Sequence, residues 1–458
     1  MNEERSFESF GYKQELNRVI GFKGAVAYGL AFLGPLAVFS MLGVVVTMTH
    51  GMGALSYMIA GLAMLFTAYS YGCMVKEYPI SGSAYAYVTR GINPHLGFLT
   101  GWTILIDYML LPMMNCLLAG VFVHAAAPSV PAWAVTVAFA IVITGVNIIG
   151  IQVTNTLNTI LVLIQLAFVI VFLVVAVRYV VDGSGPAALI DGSAIVNKME
   201  FASNGGIFPI MSAASILCLS FLGFDAVTTI SEETINPGKN ISRAIIVVCL
   251  FATFLFTLVT YMCQVVWPDA WAEFTDPDSG ASEIMARLGG DTMQVLFTIV
   301  YLLTCLPCAL AALTSASRIL FSMGRDGVLP KIFGYVHPKF KTPVVGILVM
   351  GAICLIALLL SVDIASSLIN YGALFGFILV NVAVIVHCYG RQKRRGGANT
   401  FKYLIVPIIG ALVVLAVFLS LAWQAKLVGT IWLAIGFVYL IILTKGFKQL
   451  PPDLKLDE

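Results

Sequence analysis

The chain of 458 residues is 60% hydrophobic and only 10% charged, with a formal net charge of +2 and a mean hydropathy of +0.96. Soluble domains carry about 25% charged residues, so this composition excludes a cytosolic enzyme and a disordered scaffold. It also excludes a nucleic-acid-binding protein, whose basic face would show as a large positive excess.

In chain order, residues 1–23 read as a polar cytoplasmic N-terminal segment. It carries Glu3, Glu4, Glu8 and Glu15 and has no apolar run ending in a cleavage site, so the first span is its own insertion signal. A helix crosses hydrocarbon with about 20 apolar residues, because every backbone N–H and C=O must be bonded within the segment. Twelve stretches meet that test, at 24–48, 53–75, 95–124, 132–150, 156–181, 207–233, 241–267, 291–322, 343–361, 364–388, 402–421 and 427–446. They are too long for barrel strands and lack period-2 alternation. With the N-terminus inside, 21 of the 25 Lys and Arg residues face the cytoplasm, and only Arg178, Lys198, Arg287 and Lys426 lie outside. The positive-inside rule then places both termini in the cytoplasm of a multi-pass protein of the cell (inner) membrane. Residues 24–388 read as a ten-helix transport core, 389–446 as a terminal helix pair and 447–458 as a cytoplasmic tail.

The nine cysteines fall almost entirely inside spans. Cys305-Leu306-Pro307-Cys308 has redox-motif spacing but sits at lipid depth, so these thiols read as small packing residues. The five histidines, at 50, 95, 124, 337 and 387, are dispersed, and no metal-ligand cluster appears. No metal, cofactor or membrane-embedded enzyme is expected. A channel is disfavoured because no polar ring is evident. No P-loop is present, so uphill movement must borrow an ion gradient.

Two spans are interrupted near mid-depth. In the first, Gly34-Pro35 stands within Tyr28–Gly43; in the sixth, Gly223 and Asp225 stand within Ser220–Asp225. Proline lacks an amide hydrogen and glycine tolerates non-helical angles. Unwound backbone at that depth is tolerated only against protein or a water-filled cavity. Spans one and six each begin a set of five, and an odd number of spans inverts the second set, so the two breaks are expected to meet near the midplane. Half-helix ends present N–H groups to a carboxylate and C=O groups to a cation, which suits a zwitterion. Either break alone also reads as a kink or a packing notch; their corresponding positions favour a transporter core.

Three stretches then resemble the amino acid–polyamine–organocation superfamily of secondary transporters. SFLGFDAVTTISEETINPGKNISRAI (220–245) resembles its glycine-phenylalanine-aspartate stretch with paired glutamates and an Asn-Pro. YPISGSAYAYVTRGINPHLGFLTGW (78–102) resembles its proline–glycine–aromatic entry loop, and SRILFSMGRDGVLPKIFGYVHPKFKTP (317–343) its Arg-Asp-Gly loop. The resemblance runs from about residue 20 to 446. It implies an all-α membrane protein of twelve transmembrane helices, with a 5+5 inverted-repeat (LeuT-like) core and discontinuous helices 1 and 6. Within the superfamily, SFLGFDAVTTISEET, INPHLGFLTGW and FGYVHPK are most similar to bacterial putrescine importers. Those importers carry an aspartate just after the first break, whereas here Phe39 is followed by Ser40. An amine without its own carboxylate needs a counter-charge at low dielectric, so the serine favours an amino acid over a polyamine.

The expected substrate site (Gly34, Pro35, Leu36, Ala37, Ser40, Ser220, Phe221, Gly223 and Phe224 among its residues) meets the carboxylate with amides around Gly34–Val38 and the ammonium with carbonyls around Ser220–Gly223, with Asp107 or Asp225 nearby. Asp107 lies at the centre of the third span, where an acid costs ~2.5–3.5 kcal/mol on insertion scales. It reads either as a receiver of the substrate amine or a proton, or as a structural carboxylate between helices. Tyr108 is placed to reach substrate. Asp225 reads as a cap on the second half-helix in preference to a substrate contact, and Phe221 and Phe224 as aromatic lids or packing. Glu232 and Glu233 read as partners of loop cations such as Arg243 or Arg325 in preference to proton acceptors. Gln165 stands where several proton-coupled relatives carry a lysine. Thr314 and Ser315 are hydroxyls placed to ligate sodium, or to bond their own helix. The intramembrane acids offer carriers, so the expectation is a proton-coupled importer of an amino acid working by alternating access in the lipid bilayer. Sodium coupling, amine exchange and putrescine import stand as alternatives. The tenth span is expected to hinge at Asn370-Tyr371-Gly372.

Overall fold

The structure, a computed structural model, describes residues 16–126, 129–183, 188–275, 277, 280–356, 362–421 and 423–449. Among them the chain is helical, with no strand and a single parallel bridge between Ile20 and Thr234. Ten helices among the described residues are long and apolar enough to cross a bilayer.

The first expected span is two half-helices. α1 (Phe22–Leu33) stops at Gly34, at φ 71° and ψ 102°, a 3-10 turn spans Ala37–Phe39, and α2 (Leu42–Thr49) resumes the rise. Pro35 cannot donate to the preceding turn and Gly34 takes a positive φ without a side-chain clash. α3 (Gly53–Glu77), α4 (Ala84–Gly91) and α5 (Pro94–Ala126) follow. α6 (Ala132–Ile149) and α7 (Ile151–Val181) are joined by Gly150 alone, at φ 135°. After the short α8 (Lys198–Ser203), the sixth span is again divided. α9 (Ile207–Leu217) passes into a 3-10 turn over Cys218–Phe221, the chain turns at Gly223 with φ 122°, and a second 3-10 segment covers Ala226–Glu233.

α10 (Pro237–Val266) and α11 (Ala270–Glu273) lead into α12 (Gly280–Arg325), which kinks at Gly289 and Gly290, the latter at φ 60°. The kink gives the eighth expected span, 291–322, a short helix of its own in front. α13 (Val344–Cys354) covers part of the ninth expected span, of which 357–361 lie outside the described residues. α14 (Val362–Val384) runs unbroken through Asn370, Tyr371 and Gly372 into a π-helical turn at Ile385–Arg391. The expected hinge is therefore not a break. Gly372 instead permits close approach, since a Cβ there would stand 2.6 Å from the Thr103 carbonyl oxygen on α5. α15 (Gly397–Thr400), α16 (Val406–Leu419) and α17 (Trp423–Leu443) complete the chain.

In lipid, helices associate by close packing of small residues rather than by hydrophobic burial. α3 and α10 follow that rule, with Gly61 facing Thr253 and Gly72 facing Ser242. Main-chain bonds join the entry to α1 and the end of the sixth span. The amides of Val19 and Ile20 both donate to the Glu233 carbonyl at 2.9 Å, and the Ile235 amide donates to the Ile20 carbonyl at 2.8 Å. At the far end of α2, His50 Nδ1 lies 2.7 Å from Glu200 Oε2 on α8, and the imidazole stacks on Trp271 of α11 at 4.1 Å.

Candidate functional site

The two breaks are in contact. A Cβ on Gly223 would stand 2.7 Å from Phe32 Cδ1 and 2.9 Å from the Leu33 amide nitrogen. Only hydrogen fits there, so the turn of the sixth span rests on the backbone of the first just ahead of Gly34. Three bonds shape the first break: Ala37 N–H to the Gly34 carbonyl at 2.8 Å, Phe39 N–H to Leu36 at 3.0 Å, and Ser40 N–H to Ala37 at 3.1 Å. Cys308 on α12 donates its thiol to the Phe32 carbonyl at 3.1 Å, satisfying an acceptor that the end of α1 leaves open.

Asp225 and Tyr108 close this junction from two sides. The Asp225 carboxylate accepts the Gly223 amide at 3.2 Å through Oδ1 and the Tyr108 hydroxyl through Oδ2. Through these two contacts it turns back toward the break. Tyr108 also meets Phe32 edge-on at 5.8 Å. Asp107 is 3% exposed, and its Oδ1 has no hydrogen-bond partner. No Lys or Arg forms an ion pair with Asp107 or Asp225 among the described residues. A carboxyl group at this depth needs either a proton or a cationic partner.

The other expected site residues fall around this centre in different ways. Pro35 and Leu36 are buried and Ala37 is half-buried. Ser40 is exposed and donates to the Ala37 carbonyl at 2.7 Å. Ser220 is half-buried, 3.4 Å from the Tyr57 hydroxyl. Phe221 packs edge-on against Phe256 at 5.7 Å, while Phe224 packs against Tyr71 at 5.8 Å and Phe377 at 5.2 Å. Phe32 and Tyr71 escaped the sequence reading, and Cys308, noted there for its spacing from Cys305, was read only as a packing residue. Each sits in an apolar or small-residue run with nothing local that points to the junction, and only the tertiary crossing brings it there.

The hydroxyls divide. Thr314 donates to its own helix at Leu310 (2.8 Å) and to Asn147. Ser315 joins Tyr28 at 2.8 Å and Thr229 at 3.1 Å, linking α12 to α1 and to the 3-10 segment. Gln165 is fully buried, and neither polar atom of its amide has a partner. Below the junction, Glu232 takes a two-pronged contact from Arg325 at 3.0 and 3.1 Å and the Ser81 amide at 3.0 Å. Glu233 takes Arg318 at 2.9 and 2.7 Å, both side chains 1% exposed. Arg243, expected as a partner of these glutamates, is exposed on α10 and pairs with neither. Arg318 faces inward from α12 and reaches Glu233 without leaving the bundle.

Residues 25–446 match the amino acid permease family. The chain is 38% identical over 441 residues to the low-affinity putrescine importer PlaP of Escherichia coli strain K12, covering 96% of each chain. It is 30% identical over 463 residues to the branched-chain amino acid permease BcaP of Bacillus subtilis strain 168, covering 96% of this chain and 95% of that one. It is also 30% identical over 406 residues to the methylthioribose transporter of Bacillus subtilis strain 168, covering 83% of each.

Proposed function

Because the chain belongs to the amino acid permease family, we propose that it imports a small amine-bearing solute, with a diamine of the putrescine type as the first choice. The observation that carries this reading is the pair of buried acids, Asp107 and Asp225, beside the touching breaks and without a cation. An ammonium group placed there gives these buried carboxyls a cationic partner that no Lys or Arg among the described residues supplies. The sequence argument for an amino acid rested on Ser40 standing where an acid would be. Ser40 turns to its own backbone, and the two aspartates offer a counter-charge elsewhere. Similarity to a putrescine importer over 96% of the chain points the same way. An amino acid is the second reading, favoured by the non-helical backbone at Gly34–Ala37, which suits a carboxylate.

In this reading twelve spans form two inverted sets of five plus a terminal pair, with both termini cytoplasmic. Domain limits follow the sequence: a core over 24–388, a helix pair over 389–446 and a tail over 447–458. Alternating access moves the inner halves of spans one and six away from α12, where Glu232–Arg325 and Glu233–Arg318 now hold one side shut. A proton is the coupling ion, since Asp107 has an oxygen free to receive it, while the Tyr28–Ser315–Thr229 hydroxyls satisfy one another.

Uptake into proteoliposomes tests this, with labelled putrescine and labelled leucine under imposed proton or sodium gradients. Saturable putrescine uptake driven by an inward proton gradient and unaffected by excess leucine is expected. Leucine uptake without putrescine competition would replace the diamine with an amino acid, and a response to sodium alone would remove the proton.

A further inference from the structure

A groove of about 380 Å³ opens between α3 and α10, and no residue of the acidic junction lines it; its volume is that of a ligand pocket. Its walls are two helix faces. Tyr69, Gly72, Cys73 and Lys76 share one face of α3, and Ser242, Arg243, Ile246 and Val247 line it from α10. The floor is made of small groups, since a Cβ on Gly72 would already stand 3.1 Å from Ser242 Oγ. Phe22, at the start of α1, closes one end.

The charge in this groove is one-sided. Lys76, near the end of α3, and Arg243, near the start of α10, are both exposed and lie at the same end of the trough. No acid lines it, and neither cation forms an ion pair among the described residues. Glu77, the acid next to Lys76, is turned away to Arg394 at 2.7 Å. Long basic side chains near helix ends reach the headgroup layer while their stems follow the apolar surface. An inorganic anion would meet the cations and leave the apolar walls bare. A neutral lipid would fill the trough and leave the cations without counter-charge. A single molecule with a phosphate head and an acyl tail satisfies both.

We propose that this groove binds one anionic phospholipid, its phosphate between Lys76 and Arg243 and an acyl chain laid along Cys73, Ile246 and Val247. Basic pockets between membrane helices select such lipids. The test is native mass spectrometry of the full-length, delipidated protein given equal amounts of palmitoyl-oleoyl phosphatidylglycerol and phosphatidylcholine. One phosphatidylglycerol should be retained with a preference of roughly tenfold or more. Lys76→Gln with Arg243→Gln should abolish the preference. Lys23→Gln with Lys239→Gln, outside the groove, should keep it. Val247→Trp, which fills the trough and leaves the cations, should lower retention of both lipids, and an unchanged thermal midpoint shows that each variant is folded. Equal retention of the two lipids by the parent protein overturns the proposal, as does a preference that survives the paired Lys76 and Arg243 change. Loss of preference in the Lys23 and Lys239 control would reduce the effect to diffuse charge, and displacement by millimolar inorganic phosphate would remove the acyl chain from the site.

Discussion

Asp225 is held by two donors, the Gly223 amide and the Tyr108 hydroxyl, whereas one oxygen of Asp107 has none. On the proposed reading Asp225 shapes the junction and Asp107 is the acid with capacity to spare for an amine or a proton. Asp107→Asn should therefore lower kcat/KM for uptake by roughly 100-fold, the scale of a buried charge left without its partner, with insertion and thermal midpoint nearly unchanged. Tyr108→Phe removes a hydrogen bond to a charged acceptor, worth ~1.5–3 kcal/mol. It should slow uptake and lower the thermal midpoint together, because the same bond holds the sixth span to α5. Full activity in Asp107→Asn would make that acid scaffolding. Both aspartates were legible in the sequence, since an acid inside an apolar run is conspicuous. The direction in which Asp225 points was not, because a carboxylate that reaches back to Gly223 and one that caps forward have the same local sequence. Ser40 was visible as a departure from a resembling pattern, yet its side chain serves its own backbone.

At the level of elements, the breaks were the clearest signal, because proline and glycine act on the backbone directly. Gly34 and Gly223 both take positive φ values, 71° and 122°. Gly223 is under a double constraint, conformational and steric, with Phe32 and the Leu33 backbone within 3 Å of where a methyl would go. Gly223→Ala should abolish transport and destabilise the purified protein by ~1–3 kcal/mol, read as a lower thermal midpoint in detergent. An alanine variant with wild-type uptake would mean that the two half-helices do not need this contact. The expected hinge at Asn370–Gly372 is a continuous stretch of helix in this structure. Glycine there lets α14 lie against α5 and leaves the helix intact, and sequence alone does not separate a glycine that bends from one that lets a neighbour in. The kink at Gly289-Gly290 went unread because it falls just outside the apolar window that marked the span.

For the molecule as a whole, ten of the twelve expected stretches hold a helix long and apolar enough to cross a bilayer among the described residues, because lipid forces each crossing to satisfy its own backbone. Long-range pairing was less accessible. The two glutamates were expected with loop cations such as Arg243 or Arg325; Glu232 meets Arg325, while Glu233 meets Arg318, since which face of α12 turns inward depends on packing far away in the chain. Arg318 and Glu233 are both 1% exposed, so breaking the pair leaves a charge stranded in the bundle. Arg318→Met should cost ~3–5 kcal/mol of stability, and adding Glu233→Leu should recover much of it. Thermal unfolding of the parent, the single and the double variant measures this, and a double variant no better than the single would show that the pair is not an isolated electrostatic unit.

One attachment escapes that kind of genetics altogether. The entry to α1 is stitched to the end of the sixth span through the amides of Val19, Ile20 and Ile235 and the carbonyls of Glu233 and Ile20, and these atoms are common to every amino acid except for proline's missing hydrogen. Swapping side chains along this seam leaves the stitches in place, so an alanine scan would pass over it in silence. The two segments are thus yoked by atoms that mutation seldom edits, and on the proposed alternating-access reading they move as one body for as long as the yoke holds.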